Sequence, residues 1–268
     1  PFTNYFVGRV QKDMNKRNTF LGGIFTATNR FLNEATSELR EAAYSGGIDF
    51  RHQWKDRTFY LQTNVVMSHV KGSRESILAT QQSLTHLFDR VDATHVQLDP
   101  NRTSLTGTGG LVEFGKDGGQ NWNYDMGFKW SSPELELNDI GFLKRADQKF
   151  QFFNLKYRTA KPVSIFRNIN FDFRQFNAYD FEGNHNRVQY QLRTRLRFLN
   201  NSAISSWLTY KPRIYDNTAL RGGPRWRFSK ENFKSLFFRS DDRKKFNTKI
   251  GVMHSQSEDN NMSFLKFE

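Results

Sequence analysis

The chain has 268 residues, a formal charge of +13 and a hydrophobic share of 37%, below the roughly 45–50% apolar content that is usual for globular domains. Aromatic residues nevertheless reach 15%, with 27 Phe, and cysteine is absent. The missing cysteine excludes a disulfide framework and a thiolate metal site. The positive charge favours polyanionic partners, namely nucleic acid, acidic glycans or lipid head groups, without choosing among them.

Period-two alternation predicts β-strands along most of the chain. At 48–54, four large side chains alternate with Asp49, Arg51 and Gln53, and the segments 165–181, 188–198 and 246–252 continue the pattern. Such alternation is typical of strands with one apolar and one polar face. About a dozen strands are expected, many of them longer than the usual 5–6 residues of soluble sheets.

Short polar segments between the strands predict hairpins and antiparallel neighbours. The predicted turns are 33–37, 55–57, 116–119, 161–162, 182–186, 200–202, 240–243 and 258–261. Residues 73–88 are the one stretch with helical spacing and are expected to form a short helix or an inserted loop element. Residues 131–147 are expected to form a long ordered loop. No run reaches the roughly 18 consecutive apolar residues of a membrane helix.

The segment VQYQLRTRLRF at 188–198 separates three arginines from five large side chains. Its arginines could face water in a sandwich, phosphates in a nucleic-acid complex, or the lumen of a transmembrane barrel. Long strands, short turns and a charged polar face favour the barrel, in which arginine on the lipid side costs ~2–4 kcal/mol at mid-membrane. The candidate lumen cations are Arg167, Arg174, Arg193, Arg195 and Arg197. The candidate interface aromatics are Trp207, Tyr210, Tyr215 and Trp226.

No segment predicts a catalytic, metal or cofactor site. The glycine-rich stretch 107–119 lacks the ending of a phosphate loop, and the six histidines show no metal-ligand spacing. The densest acidic group is Glu134, Glu136, Asp139 and Asp147. It could supply a glycosidase pair or bind calcium, but salt bridges to Lys144, Arg145 or lumen arginines are the simpler expectation. The basic stretch 211–228 favours a rim beside lipopolysaccharide over single-stranded nucleic acid, which is not an expected partner.

Several segments resemble large outer-membrane proteins of Bacteroidota. They are 4–30, 46–54, 72–83, 103–116, 132–147 and 220–228. The sequence looks like a member of the domain of unknown function 5916 family, in which a carbohydrate-binding-like sandwich precedes a long β-barrel. The most specific matches are NDIGF at 138–142 and RGGP at 221–224. Such proteins are several hundred residues longer. The resemblance therefore implies a barrel domain over residues 1–268 that is incomplete at both ends, and it implies no activity.

The sequence thus predicts an all-β, antiparallel transmembrane β-barrel, or a large part of one, with long loops and at most one short helix. We expect a non-enzymatic channel, or a barrel subunit of an envelope complex, in the outer membrane of a Gram-negative bacterium. Its partners would be outer-membrane lipid and lipopolysaccharide, together with other envelope proteins or glycans. The alternative is a soluble or surface β-sandwich that binds polyanions or glycans.

Overall fold

The computed structural model describes residues 2–119, 121–258 and 260–267. Their regular structure is almost entirely β. The elements, in chain order, are β1 (Phe2–Met14), β2 (Thr19–Phe31), β3 (Arg40–Trp54), β4 (Phe59–Gly72), α1 (Arg74–Gln82), β5 (Ser104–Lys116), β6 (Trp122–Ser131), β7 (Gln148–Arg158), β8 (Phe166–Tyr179), β9 (His185–Phe198), β10 (Ala203–Lys211), β11 (Ile214–Asp216), β12 (Trp226–Phe228), β13 (Glu231–Arg239), β14 (Lys249–Ser257) and β15 (Asn261–Phe267), with a 3-10 turn at Glu34–Thr36.

The strands form one 13-stranded antiparallel meander in which each strand pairs with the next along the chain. The exception is a two-stranded sheet, β11 with β12, inserted between β10 and β13. The prediction of an all-β antiparallel fold with one short helix is confirmed. Across the described residues β1 and β15 are the two edges of the sheet, and it does not close into a barrel. None of the described helices is long and apolar enough to cross a membrane.

The helix is shorter than predicted. The Ser73 side chain caps it by accepting a hydrogen bond from the Ser76 backbone at 3.1 Å. It ends at Gln82, because Ser83 is extended. The predicted loop at 131–147 is confirmed from Ser132 onward, since β6 ends at Ser131 and β7 begins at Gln148.

The predicted turns fall between the strands. At 55–57 all three residues have a positive φ, as they do at 15–17, a turn that the sequence patterns had not indicated. The predicted strand at 246–252 begins only at Lys249. Within the predicted turn 258–261, Asp259 lies outside the described residues.

Because neighbouring strands run in opposite directions, the connections divide between two ends of the sheet. The end that carries 73–103, 132–147 and 212–230 is called the loop end here. The opposite end, called the turn end, carries shorter connections such as 15–18, 55–58 and 199–202. The three longest connections therefore share one end.

The sheet has two chemically different faces. Paired residues of antiparallel strands point to the same side, and successive residues point to opposite sides, so the register propagates each face across the sheet. Large hydrophobic side chains dominate the apolar face, which includes Ile48, Val65, Phe128, Phe171, Leu236 and Val252. Charged and amide side chains dominate the polar face, which includes Arg9, Asp49, Gln62, Asp125, Arg174 and Arg193.

The hydrophobic core is small and lies on the polar face at the loop end. There the connection 73–103 folds back over the sheet, and its side chains pack on the strands below. The core residues are Ala43, Val70, Ile77, Phe88, Val96 and Leu105. The connection 132–147 lies beside it, where the Glu136 backbone donates a hydrogen bond to the Ser68 hydroxyl at 3.0 Å. Together these two connections form a loop cap on the polar face.

Gly107 is required for the close contact between β5 and the loop cap. A Cβ at this position would lie 2.1 Å from the Leu135 backbone nitrogen, so Gly107→Ala must displace the connection 132–147. Overpacking of this kind costs roughly 1–3 kcal/mol. We expect a lower melting temperature and faster limited proteolysis within 132–147. The control is Gly23→Ala, whose nearest atom would be 3.9 Å away. Equal cleavage rates for the two variants would contradict this packing.

Candidate functional site

An arginine groove lies on the polar face and crosses β8, β9, β10 and β13. Its volume is about 640 Å³. The register explains its composition, because β9 places an arginine on the polar face at three successive alternate positions. The side chains that line the groove include Arg158, Asn168, Asn170, Asp172, Arg193, Arg195, Arg197, Ala203, Ser205, Trp207, Phe237 and Arg239.

Each β9 arginine lies between defined neighbours on the adjacent strands. Arg193 lies between Asp172 on β8 and Trp207 on β10. Its guanidinium sits over the Trp207 ring, 4.3 Å from the ring centroid. One step toward the turn end, Arg195 lies between Asn170 and Ser205. The groove therefore changes along its length from a carboxylate and an indole to neutral hydrogen-bonding groups.

The groove carries more positive charge than its own acids can neutralise. Asp172 is the acid among its lining residues, and the Arg174 Nε already holds it at 2.8 Å. Among the described carboxylates, none forms a salt bridge with Arg158, Arg195 or Arg197. The Arg197 Nε is buried and has no hydrogen-bond partner within the described part of the chain. Concentrated arginine without counter-charge attracts anions.

Four of the five candidate lumen cations share the polar face. Arg193, Arg195 and Arg197 line the groove, and Arg174 lies next to it through its salt bridge with Asp172. Arg167 is different, because a register irregularity at the start of β8 falls on it. Its guanidinium is exposed and donates to the Leu199 carbonyl at 3.3 Å. The structure therefore separates Arg167 from the groove.

The four candidate interface aromatics occupy three environments. Tyr210 lies on the apolar face near the loop end of β10, where its ring stacks with Tyr190 at 6.2 Å. Tyr215 and Trp226 belong to β11 and β12, outside the large sheet. Trp207 corrects the expectation, since it lies in the middle of β10 on the polar face, and its indole N–H donates to the Thr209 hydroxyl at 2.8 Å.

A row of aromatic side chains, which the sequence patterns did not predict, lies on the apolar face near the turn end. Its rings contact one another from strand to strand, with centroids 6.0 Å apart for Trp54 and Phe59 and 4.7 Å apart for Trp122 and Tyr157. The row comprises His52, Trp54, Phe59, Phe114, Tyr124, Trp122, Tyr157 and Phe171. Aromatic residues placed directly beside predicted turns were the available signal.

The acidic group of the 132–147 connection is engaged by cations, although not by the expected ones. Glu136 bonds to His86 at 3.0 Å and to Arg40 at 3.2 Å. Arg40 also reaches Asp139 at 2.9 Å, and Arg90 reaches Asp147 at 2.6 Å. The remaining ion pairs are Arg30 with Asp139 and Arg102 with Glu134, and the His95 ring is hydrogen-bonded to Asp147 at 2.9 Å.

The expected partners Lys144 and Arg145 play no part in these pairs. Arg145 instead contacts Asp216 of β11 at 3.7 Å. These contacts therefore tie the 132–147 connection to β2, β3 and the 73–103 connection. Within the described ranges, no group of three histidine or acidic side chains is arranged to hold a metal ion.

The Glu136 carboxyl is held in its ionised form by the loop cap. Burial alone raises the pKa of this carboxyl, but three contacts outweigh burial. The His86 ring and the Asn138 backbone donate hydrogen bonds to the carboxylate, and the Arg40 charge lies beside it. Together they lower the pKa from 4.5 to about 2. Glu136 therefore stabilises the cap as an anion.

These features define a class of protein: an antiparallel β protein built on one 13-stranded sheet, with an exposed apolar face, a cationic groove on the polar face and an ion-paired loop cap. The family model described as Domain of unknown function (DUF5916) matches residues 1–268, and the chain belongs to this family. No curated protein matches the sequence.

The loop cap should loosen in acid. A carboxyl whose pKa is lowered on folding contributes stability that is present above its unfolded pKa and lost as the pH falls. For Glu136 the loss runs from about pH 4.5 to about pH 2 and amounts to a few kcal/mol, roughly. The protection factors of the residues 132–147, that is, the hydrogen-exchange rates measured between pH 6 and pH 2 and divided into the intrinsic rate at each pH, should fall across this window.

In Glu136→Gln we expect low protection factors in the cap already at pH 6, with a weaker dependence of these protection factors on pH. Glu134→Gln is the matched control, because Glu134 is partly exposed and lies 3.4 Å from Arg102. The same pH profile in Glu136→Gln and in the unaltered chain would show that this carboxyl does not hold the cap.

Proposed function

We propose that this chain is a transmembrane β-barrel domain of a Gram-negative outer membrane that gives passage or docking to anionic solutes. Its apolar face would meet lipid, and its polar face would line the lumen. The observation that carries this proposal is an inclined band of exposed hydrophobic side chains on the apolar face. No catalytic step is proposed, because the acids of the loop cap are engaged in ion pairs.

The apolar face is exposed to an extent that is unusual for a water-soluble protein. Ile48 is 63% exposed, Met67 54% and Leu236 52%. The whole chain exposes 16297 Å², roughly a third more than the ~12,000 Å² of a compact monomer of this mass. Monomeric soluble proteins rarely expose contiguous apolar patches above a few hundred Å². A lipid environment would account for the face.

The apolar band ends along a slanted line on the loop-end side. Its last large side chain is Met67 in β4, Phe153 in β7, Leu236 in β13 and Val252 in β14. Beyond this limit the same face continues with polar side chains, including Lys71, Gln151, Lys234 and His254. Five large residues on this face extend past the limit: Trp130, Tyr179, Val188, Tyr190 and Tyr210. The limit approaches the turn end from β4 to β14.

The strand register gives the slope of this limit. Through successive pairs, Leu61 in β4 lies level with Gln256 in β14. Met67 lies six residues to the loop side of Leu61, and Val252 lies four to the turn side of Gln256. Ten residues correspond to roughly 33 Å, and eight strand spacings to roughly 38 Å. The strands are thus inclined by about 40° to the normal of the band, within the ~35–45° tilt from the membrane normal in membrane barrels.

Two further features support the membrane setting. Outer-membrane barrels have short turns at one end, longer loops at the other, and aromatic girdles at the interfaces. Here the longest connections share the loop end, and the aromatic row lies near the turn end. The basic connection 212–230, with Arg225 and Arg227, would then lie at the membrane surface and contact lipopolysaccharide. Other envelope proteins or glycans are the further proposed partners.

Spin labels test which environment the apolar face meets. Since the chain has no cysteine, single variants take one label each. In lipid vesicles, we expect labels at Val65→Cys and Phe171→Cys to collide more often with dissolved oxygen than with a polar nickel complex. Their neighbours on the polar face, Asn64→Cys and Asn170→Cys, serve as matched controls and should show the reverse preference.

Low accessibility to both reagents at Val65→Cys and Phe171→Cys would indicate a second protein layer. That outcome would favour the alternative, a β-sandwich that binds polyanions or glycans. Preferential collision of these two labels with the nickel complex would also contradict the proposal.

Ion conductance separates passage from docking. If the polar face lines an open path, its arginines should make a planar-bilayer current anion-selective. The triple variant Arg193→Gln, Arg195→Gln, Arg197→Gln should lose most of this selectivity, as read from the reversal potential in a salt gradient. Arg9→Gln, on the same face but paired with Asp49, should retain it. Absence of any current would favour docking over passage.

A further inference from the structure

We propose that the turn-end part of the arginine groove binds a phosphate or sulfate ester whose organic part is a ring. This inference deepens the proposed function by naming a ligand class for the polar face. It can be tested separately, because binding to this site does not require that the apolar face meets lipid.

The site has an open floor because β10 places small side chains there. Ala203 and Ser205 lie on the polar face between the arginines of β9 and the side chains of β13. A pocket of about 280 Å³ opens above them and is lined also by Arg195, Phe237, Arg239 and Lys249, whose ammonium group lies 5.6 Å from the centroid of the Phe237 ring. The space is large enough for a small ring with one anionic group.

Gly251 keeps this pocket open on the β13 side. A Cβ on Gly251 would lie 2.0 Å from the Phe237 ring, so the ring occupies the space over β14 that a side chain would fill. Phe237 therefore leans away from Ser205 and presents an apolar wall to the pocket. An aromatic wall beside an anion site suits a ligand that joins an oxyanion to a ring.

The anionic end would lie between Arg195 and Arg197. These two residues are two apart on one strand, so their Cα atoms are roughly 7 Å from each other on the same face. Each has a neutral amide opposite it, Asn170 for Arg195 and Asn168 for Arg197. Guanidinium groups form paired hydrogen bonds with the oxygens of carboxylates and phosphates.

Several arginines around one pocket favour a tetrahedral oxyanion over a planar carboxylate. Arg158 on β7 and Arg239 on β13 also line the arginine groove, although Arg239 also pairs with Asp242 at 3.5 Å. A tetrahedral group offers three terminal oxygens in different directions, whereas a carboxylate offers two in one plane.

Titration calorimetry with the full chain in detergent micelles tests the site, using phenyl phosphate as the probe. We expect it to bind at least about tenfold more tightly than inorganic phosphate, benzoate or phenol, because only phenyl phosphate combines the ring with the tetrahedral anion. Equal affinity for benzoate would overturn the ester preference, and equal affinity for inorganic phosphate would overturn the role of the Phe237 wall.

Two variants locate the binding. Arg195→Gln should weaken phenyl phosphate binding by about tenfold or more, since charge-assisted hydrogen bonds are lost. Ser205→Leu should block the pocket while leaving every arginine in place. Arg9→Gln is the control on the same face and should bind normally. Unchanged affinity in both groove variants, or an equal loss in Arg9→Gln, would overturn the inference. The spin-label result is independent of either outcome.

Discussion

The structure depends on an asymmetry between the two faces of one sheet. Everything that folds back onto the strands, including the small hydrophobic core and the ion-paired connections, packs on the polar face at the loop end. Nothing in the described ranges covers the apolar face in the same way, and Ile48 and Leu236 remain more than half exposed. Because burial of apolar area is the dominant favourable term in folding, whatever covers this face contributes strongly to stability.

The polar face is divided between its two ends. At the loop end, Arg40 and Arg90 form salt bridges with carboxylates of the cap. Breaking a buried pair of this kind is strongly destabilising. Toward the turn end, Arg195 and Arg197 lie in an open groove without such partners. The arginines at the loop end therefore stabilise the cap, whereas those toward the turn end can bind a ligand. A ligand of the groove would not have to displace an ion pair of the cap.

Local pattern was enough to predict the strands, the hairpins and the long 131–147 loop, because period-two alternation and turn residues are local properties. It could not place Trp207, since the other large residues of β10, such as Leu208, point to the opposite face. It also missed the ion pairs of the cap, in which Arg30 meets Asp139 across more than 100 positions. Those contacts depend on register and loop folding, which alternation does not encode.

The slant of the apolar band uses both kinds of information and favours a membrane over a protein core. Each strand's alternation gives the limit of its own band, and the register relates one limit to the next. A bilayer imposes two parallel planes on all strands at once, so inclined strands must shift their apolar segments steadily. From β4 to β14 the strands are inclined by about 40° to the normal of the apolar band, and no described layer lies against this face. Both observations match that constraint. In a sandwich, the facing sheet would instead have to follow the same slope across the apolar side.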